Sequence, residues 1–413
     1  MVENKILQEG FWSVFGQFFS AIAIIAGIRA VTEYVTPEHY GQYIIFSGIT
    51  LLALNVFSGS IFQSFLRIIP EKNDNKLYNK SIVLSSKIVF LFTGIGLLFL
   101  LLNILFKSNI SFFIFVFFIY LISEHFVGLF KVLMNIKKEQ KKYAFFQISI
   151  SILRPIAAVL LYIYHDNNFV SIIYGFCIAN FFISIIFFGN KIIKDLITSS
   201  KEKFNWGNFS EFFDFSKPLI FQKICGWTLS NADKYIIAFF LGTAAAGKYA
   251  PIVSLVSMLY LTLSSAVELV FRPYYFEYIA QGKIKDGKKI LKRYAISLFI
   301  ASIAFIILFT IFNQEIVSLV LGKNFRDYYS LLPILSIGFS FLIFGYLFEN
   351  ICFAYKKTWA VFFIEGIAAI TNIVVLPIMV YNFGIDGIPY ALLFVYIAHF
   401  MSGLIITRRK ILK

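Results

Sequence analysis

The stretch SNADKYIIAFFLGTAAAGKYAPIVSL, residues 230–255, contains the two features that decide the fold class of this chain. Most of its residues are apolar and lack the alternation of a membrane β-strand, so a membrane helix is the structure they favour. Asp233 and Lys234 nevertheless stand side by side within it. A charged side chain at the centre of a membrane helix costs roughly 2.5–3.5 kcal/mol, so such residues usually pair or face water. Each is therefore a candidate functional residue.

The composition of the whole chain agrees with this stretch. Its 413 residues are 59% hydrophobic and only 14% charged, and the mean hydropathy is +0.80. An ordinary soluble protein has more polar residues to cover its surface. Cys177, Cys225 and Cys352 lie in apolar segments without metal-ligand or disulfide spacing, so we interpret them as packing residues and expect no metal site. The sequence predicts an all-α polytopic membrane protein.

Apolar segments of about 20 residues, enough to cross roughly 30 Å of hydrocarbon as a helix, recur along the chain. The first, residues 9–35, is too long for the core of a signal peptide and lacks a small-residue cleavage site, so we expect it to remain as a span. Apolar windows between charged breaks predict twelve transmembrane helices. They cover residues 10–32, 42–66, 83–106, 110–134, 144–164, 169–190, 214–241, 249–271, 294–313, 329–354, 359–382 and 385–407.

The basic residues between these spans alternate strongly from one loop to the next. One set of loops and termini holds 27 of the 37 lysine and arginine residues, and the alternate set holds Lys107, Lys248, Lys323 and Arg326. By the positive-inside rule, this alternation places both termini in the cytoplasm. The net charge of +15 then reflects topology and attraction to anionic headgroups. A nucleic-acid partner is not needed to explain it.

The predicted loops are short. The longest soluble pieces are two basic cytoplasmic connections, near residues 191–213 and 272–293, and the outer loops have only a few residues. A membrane-embedded glycosyltransferase, polymerase or ligase usually needs a larger ordered loop to hold its catalytic groups. We therefore predict that the chain is not an enzyme.

A short motif recurs half a chain apart. TPEHYGQY (36–43) follows the first span and GTAAAGKY (242–249) follows the seventh, so each has Gly-x-Tyr at a separation of 206 residues. Two halves with six spans each are typical of parallel repeats, which build a central cavity for alternating access. We predict an N-terminal lobe, residues 1–203, with spans one to six and the start of a cytoplasmic linker. The C-terminal lobe, residues 204–413, holds spans seven to twelve.

Four stretches resemble the polysaccharide flippases, the O-antigen and capsule repeat-unit (Wzx-type) proteins of the multidrug/oligosaccharidyl-lipid/polysaccharide (MOP) exporter superfamily. Residues 230–255 look like the signature of the seventh helix, with Asp-Lys, an apolar run, Leu-Gly, small residues and Gly-x-Tyr. TPEHYGQY is similar to the loop after the first helix. EIVSLVLGKNFRDYYSLLPILSIG (315–338) resembles the outer loop before helix ten, and TNIVVLPIMVYNFGIDGIPYA (371–391) resembles the passage between helices eleven and twelve. The resemblance covers nearly the whole chain.

This resemblance implies a MATE-like fold of two six-helix lobes in the bacterial cytoplasmic (inner) membrane. It also implies that polyprenyl (undecaprenyl) diphosphate-linked oligosaccharide repeat units are flipped from the cytoplasmic to the outer leaflet by alternating access. The pathway would be O-antigen (lipopolysaccharide), capsule or exopolysaccharide biosynthesis, with membrane lipids and glycan polymerase and chain-length proteins as potential partners. A proton or sodium gradient or the membrane potential would drive it, without a cofactor, because the sequence contains no G-x-x-x-x-G-K-[ST] motif.

Two lysines of the seventh span are predicted substrate contacts. Lys223 and Lys234 share a helical stripe with Trp227 and Ser230, because the four residues are spaced by 4, 3 and 4 positions. Within the flippase interpretation, this stripe lines a cationic lumen for a diphosphate or an acidic sugar. Asp233 is turned by about 100° from Lys234 and should meet a neighbouring helix. Alternatively, Lys234 extends towards the membrane surface and Asp233 only joins two helices.

Two arginines complete the predicted cationic lumen. Arg154 precedes Pro155 in the inner half of the fifth span, where an incoming diphosphate would first arrive. The proline frees backbone carbonyl groups close to it. Arg29 lies near the outer end of the first span. We expect both to contribute to substrate binding.

Four acidic residues are candidates for ion coupling. On the fourth span, Glu124 shares a stripe with Lys131 and is the better candidate for proton coupling. On the eighth span, Glu268 is spaced to pair with Arg272 within the helix, which favours a structural role with Arg272 as an interfacial anchor. The full set is Glu124, Asp233, Glu268 and Glu365.

The eleventh and twelfth spans add further polar residues. Glu365, Ala369 and Asn372 lie on one face, so a carboxylate and an amide flank a small residue and suit a lumen wall or a coupling ion. His399 stands alone in the twelfth span, and we interpret it as a packing residue rather than a proton relay.

Two other classes of function remain open. A drug/cation antiporter of the same superfamily would need an acidic cavity, whereas Arg29, Arg154, Lys223 and Lys234 would make the cavity basic. A membrane-embedded glycan-assembly enzyme or a scaffold is disfavoured by the short outer loops. Flipping of a labelled polyprenyl diphosphate sugar in proteoliposomes distinguishes these classes.

Overall fold

The computed structural model describes residues 2–72, 75–106, 109–188 and 210–410. These residues form helices joined by short turns, and no strand occurs among them, which confirms the predicted all-α class. The first half contains α1 (Val2–Tyr34), α2 (Pro37–Leu54), a π-helical turn (Asn55–Gly59), α3 (Ser60–Lys72), α4 (Asn75–Phe106), α5 (Asn109–Ile136), α6 (Gln140–Tyr164) and α7 (Phe169–Phe188). The second half contains α8 (Ser210–Leu241), α9 (Thr243–Ala280), α10 (Ile284–Ile311), α11 (Asn313–Val320), α12 (Leu332–Ala354), α13 (Thr358–Phe383) and α14 (Gly387–Lys410).

Ten helical stretches in the described part of the chain are long and apolar enough to cross a membrane. One of them, Thr358–Arg408, includes both α13 and α14 and therefore accounts for two crossings. α8 is not among the ten, because polar and charged residues, among them Asn231, Asp233 and Lys234, lower its hydropathy. α8 lies at the position of the seventh predicted span. When α8 is included, a helix is found at each of the twelve predicted positions. The places of the twelve predicted helices are confirmed, and the cytoplasmic position of the termini stays a prediction.

Residues 272–293, which the sequence predicts as a soluble connection, are mostly helical. α9 continues to Ala280 and α10 already begins at Ile284, so residues 281–283 alone form the turn. Gly282 in this turn has a φ of +72°, which glycine adopts without strain. Lysine and arginine are good helix formers, so the basic residues here continue the two helices. Residues 191–209 of the other connection, and the predicted lobe boundary after residue 203, lie outside the described residues.

Packing divides the chain into two compact units. Unit 1 comprises residues 1–35 and 45–224, and unit 2 comprises residues 36–44 and 225–413. Two of the three boundaries fall within a helix. The first turns of α2 belong to unit 2, and the first part of α8 belongs to unit 1.

The core of unit 1 is rich in phenylalanine. Phe65 of α3, Phe146 of α6 and Phe212 of α8 are buried together, and the Phe65 and Phe212 rings meet edge to face with centroids 5.0 Å apart. α1 packs along α6, where Gly27 lies directly against the ring of Pro155. Small residues at such contacts let membrane helices approach closely. Arg154, next to Pro155, is therefore on a tightly packed helix.

In unit 2, the two Gly-x-Tyr motifs contact each other. A side chain at Gly41 would collide with the carbonyl oxygen of Thr243, and one at Gly247 would collide with that of Pro37. Because Pro37 and Thr243 are also 206 residues apart, the contact is reciprocal. Glycine is required here, since the two helix backbones touch. This reciprocity supports the predicted duplication of the chain.

Candidate functional site

Three helices of unit 1 bring polar side chains around Arg154. Arg154 is on α6, Glu124 is on α5 and Asn180 is on α7. Nη2 of Arg154 donates to Oε1 of Glu124 at 2.7 Å, and Nε donates to Oδ1 of Asn180 at 2.7 Å. The Arg154 and Glu124 side chains are 23% and 18% exposed. The guanidinium is held by two partners and still presents part of its surface.

Asn180 holds this pair in place. It is buried, and its Nδ2 donates to Oε1 of Glu124 at 3.0 Å and to Oγ of Ser123 at 3.1 Å. Ser123 in turn donates to the carbonyl oxygen of Tyr120. The ring of Phe176 lies 5.8 Å from the guanidinium carbon. Because the amide bonds to both charged partners, their relative orientation is set before any ligand binds.

Lys131 adds a second cation to this group. It follows Glu124 by two helical turns on α5, and it interacts electrostatically with both Glu124 and Arg154. We call Glu124, Lys131, Arg154 and Asn180 the unit 1 cluster. Two cations and one carboxylate leave the cluster with one excess positive charge. Such a cluster is suited to an anion, and the planar guanidinium matches the geometry of a phosphate group.

Lys234 on α8 is bonded to its own helix. Its ammonium donates to the carbonyl oxygen of Ser230 at 2.9 Å and to Oδ1 of Asn231 at 3.1 Å. Its side chain is 14% exposed. Lys223, the other lysine of the predicted stripe, is half-buried, and Ser230 is exposed. The stripe therefore has accessible positions, but local hydrogen bonds engage one of its two ammonium groups.

Asp233 contacts the next helix, as helical geometry predicts. The hydroxyl of Tyr249 on α9 donates to Oδ2 of Asp233 at 2.9 Å, and both residues are buried. Nζ of Lys234 is 3.9 Å from Oδ1 of the same carboxylate. The two charges are closer than a 100° offset suggests, because the flexible lysine stem brings the ammonium back. Since Tyr249 ends the second Gly-x-Tyr motif, the motif and the buried charge form one contact.

The predicted polar face of α13 is buried. Glu365, Ala369 and Asn372 are 8%, 5% and 0% exposed. Nδ2 of Asn372 donates to the carbonyl oxygen of Thr228 on α8 at 3.1 Å, and Glu365 lies beside Gly226 of the same helix. The face is therefore a polar contact between α13 and α8 within unit 2.

Two other predicted candidates form pairs within one helix. On α1, Nη2 of Arg29 is 2.9 Å from Oε2 of Glu33, and the two side chains are 36% and 40% exposed. On α9, Glu268 pairs with Arg272, as their spacing predicts. The guanidinium of Arg272 also lies 5.0 Å from the ring of Phe276. Both pairs are more exposed than the pair of Glu124 and Arg154, so solvent weakens their electrostatic interaction more strongly.

Sequence analysis missed Glu349 and Asn180. Glu349 of α12 and His399 of α14 are buried, and Nε2 of His399 is 2.9 Å from Oε1 of Glu349. His399 also packs directly against Gly345 of α12. Glu349 lies within a predicted span, so the rule that marks intramembrane carboxylates as candidates applies to it as well. Asn180 is uncharged and gives no comparable signal in the sequence.

The fold is that of a known class of membrane transporter. The structure matches the lipid II flippase MurJ in its inward closed conformation, with a TM-score of 0.70 and 17% identity over 96% of this chain and 87% of that chain. It matches an outward-facing multidrug resistance MATE family transporter with a TM-score of 0.66 and 11% identity, over 98% and 94% of the two chains. A MOP superfamily transporter from Pyrococcus furiosus matches with a TM-score of 0.62 and 12% identity, over 95% and 94%. These similarities establish the two-lobed fold of the MOP superfamily.

Sequence comparison gives the family within this class. A family profile described as "Polysaccharide biosynthesis protein" matches residues 31–330, which is more than half of the chain. The chain belongs to this polysaccharide biosynthesis protein family. The predicted membership in a family of polysaccharide biosynthesis proteins is thereby confirmed, and the structurally similar proteins are a flippase and transporters. A search of curated protein sequences finds no significant match.

Proposed function

We propose that this protein is a flippase for polyprenyl diphosphate-linked oligosaccharide repeat units and that the unit 1 cluster binds the diphosphate. The observation that carries this proposal is the excess positive charge that Arg154 and Lys131 place around a single carboxylate, within helices of membrane length. Charged residues in a membrane are costly and therefore mark the path of a charged substrate. Membership in a polysaccharide biosynthesis family supports a glycan-bearing substrate.

The chemistry of the cluster fits a diphosphate. An arginine guanidinium is planar, stays charged and can bind two phosphate oxygens at once. Glu124 and Asn180 fix its orientation through two hydrogen bonds of 2.7 Å, so less conformational entropy is lost when the substrate binds. Lys131 supplies a compact second charge for the neighbouring phosphate. Arg29, Lys223 and Lys234 would extend the cationic path for the headgroup.

During transport, the headgroup and the tail of the substrate would follow different routes. A diphosphate sugar cannot cross hydrocarbon without hydration or counter-charges, whereas a polyprenyl tail is stable in lipid. We therefore propose that the headgroup crosses by alternating access, the mode expected of a chain built from two parallel repeats, while the tail remains in the bilayer. The site would be in the bacterial cytoplasmic membrane, with both termini in the cytoplasm, in O-antigen, capsule or exopolysaccharide biosynthesis. Glycan polymerase and chain-length proteins are the proposed partners.

Carboxylates of unit 2 are the proposed site of ion coupling. Asp233 and Glu365 are buried, and the carboxylate of Asp233 accepts a hydrogen bond from the neutral hydroxyl of Tyr249. A proton or sodium ion bound at such a carboxylate changes the net charge of the membrane interior, which couples binding to the gradient. Glu124 and Glu268 are weaker coupling candidates, because each is paired with an arginine.

Reconstitution into proteoliposomes tests the proposed function. A labelled polyprenyl diphosphate oligosaccharide is placed in one leaflet, and its arrival in the other is followed with a membrane-impermeant quencher. We expect movement that depends on the protein and is faster with an imposed ion gradient or membrane potential. Protein-free vesicles give the background rate. Robust efflux of organic cations without movement of the lipid would instead identify a drug antiporter.

A further inference from the structure

Unit 2 has a groove of about 710 Å³ between α10, α12 and α14. It lies among described residues of this unit alone, and it contains none of the proposed substrate or coupling residues. A volume of this size is within the range of about 300–1,000 Å³ that is typical of small-molecule sites. Its walls are largely apolar and include five phenylalanines, Phe299, Phe341, Phe344, Phe348 and Phe400. These walls favour an apolar ligand.

Three cations line one end of this groove. Lys288 and Lys292 are one helical turn apart at the start of α10, and Arg408 is near the end of α14. All three side chains are exposed. The nearby acidic residue Asp286 pairs with Lys289, which does not line the groove. The groove is therefore apolar along its length and positively charged at one end.

The apolar part of the groove is about as deep as one leaflet of a membrane. Along α10, the lining residues Ala295 and Ile306 are separated by a rise of about 16 Å, and along α12 Ile337 and Ile351 are separated by about 21 Å. Half of a hydrocarbon core of roughly 30 Å is about 15 Å. An acyl chain of one leaflet matches this depth, with its headgroup at the cationic end.

We propose that the groove binds one anionic phospholipid, with an acyl chain against the phenylalanines and the phosphate at Lys288, Lys292 and Arg408. Basic pockets between membrane helices on the cytoplasmic side are typical sites for anionic headgroups. The charge pattern of the sequence predicts the cytoplasmic side for all three cations. This lipid is a bound component of the membrane rather than the transported substrate, so the proposal does not rest on flipping.

Native mass spectrometry of the purified full-length protein tests the headgroup part of the proposal. Phosphatidylglycerol and phosphatidylcholine with the same acyl chains are titrated separately, and we expect at least tenfold tighter binding of phosphatidylglycerol. The variant Lys288→Gln/Lys292→Gln/Arg408→Gln should abolish this preference. The control Lys285→Gln/Lys289→Gln/Arg293→Gln removes the same charge from exposed positions outside the groove and should keep it.

A second pair of variants tests the apolar part. Ala295→Phe places a ring in the groove and should weaken phosphatidylglycerol binding by about fivefold. Ala304→Phe adds the same ring on an exposed position of α10 outside the groove and should leave binding unchanged. Equal affinity for both phospholipids, equal loss of binding in both charge variants, or preferential binding of a polyprenyl phosphate would overturn the proposal. None of these readouts depends on transport.

Discussion

The charged residues that the helices enclose differ in balance between the two units. In unit 1 the partly buried residues Glu124, Lys131 and Arg154 form one cluster, in which cations exceed carboxylates. Among the described residues of unit 2, the buried carboxylates are Asp233, Glu349 and Glu365, accompanied by Lys234 and His399. The two halves share a helical plan and the Gly-x-Tyr motif, yet cations are in excess in the cluster of unit 1 and carboxylates among the buried residues of unit 2. The comparison teaches that one scaffold can place an excess of either charge among its helices.

The partners of these charges differ as well. In unit 1, Glu124 and Arg154 join two helices through an ion pair, and Asn180 adds a third helix. In unit 2, Asp233 is bonded by the neutral hydroxyl of Tyr249, and its nearest ammonium, that of Lys234, is at 3.9 Å. An ion pair is stable without further ligands, whereas a carboxylate with a neutral partner can still take up a proton or a metal cation. This difference is the physical basis for the division of roles that we propose.

The largest expected effect is that of Arg154→Gln. Glutamine cannot bind phosphate as a cation, so we expect the flipping rate of labelled lipid in proteoliposomes to fall by about a hundredfold, which corresponds to about 3 kcal/mol. Arg154→Lys should recover only part of the loss, because an ammonium lacks the planar fork. Arg67→Gln, at an exposed position, is the control and should flip normally. A normal rate in Arg154→Gln would remove the proposed anion site from unit 1.

The second effect concerns the stability of unit 1. Glu124→Gln leaves the partly buried Arg154 without its counter-charge, so we expect the free energy of unfolding to fall by about 1–3 kcal/mol. The double variant Glu124→Leu/Arg154→Met should regain most of this stability and still fail to flip lipid. Thermal unfolding in detergent and the flipping assay measure the two properties separately. Recovery of both would mean that the pair is only structural.

The third effect tests unit 2. Asp233→Asn removes a buried charge that we assign to ion coupling, so the stimulation of flipping by an ion gradient should fall by about fivefold, which is about 1 kcal/mol. Tyr249→Phe is the matched control, since it removes the hydrogen bond to Asp233 and keeps the carboxylate. Flipping without a gradient should be nearly unchanged in Asp233→Asn. If both variants retain full stimulation, coupling does not involve this carboxylate.

The smallest effect is expected for Lys234→Ala. Its ammonium is already bonded to Ser230 and Asn231 of its own helix, so removing it should slow flipping by about twofold to threefold and leave membrane insertion intact. Quantification of the protein in membrane fractions, together with the flipping assay, measures both. A loss as large as that of Arg154→Gln would show that unit 2 also contributes an essential cation, and the contrast between the units would no longer hold.

Local patterns predicted much of this structure. The twelve helices lie at the predicted places, the spacing of Glu268 and Arg272 predicted their pair, and helical geometry predicted that Asp233 meets another helix. The helical conformation of the predicted soluble connection at residues 272–293 was not predicted, because charge marks the edge of the membrane and not the end of a helix. Asn180 was missed, because the role of this amide depends on its hydrogen bonds with Arg154 and Glu124, which lie on other helices.

The sequence by itself determined that this chain forms membrane helices in two similar halves, and its motifs indicated the family. Hydrophobicity and helical periodicity are local properties, so they can be measured along the chain without knowledge of its partners. The tertiary structure alone decided which polar groups pair between separate helices. Glu124, Arg154 and Asn180 lie on three separate helices, and His399 and Glu349 lie on two, so only packing brings them within 3 Å of one another. Long-range contacts therefore assemble the unit 1 cluster from residues that lie on separate helices.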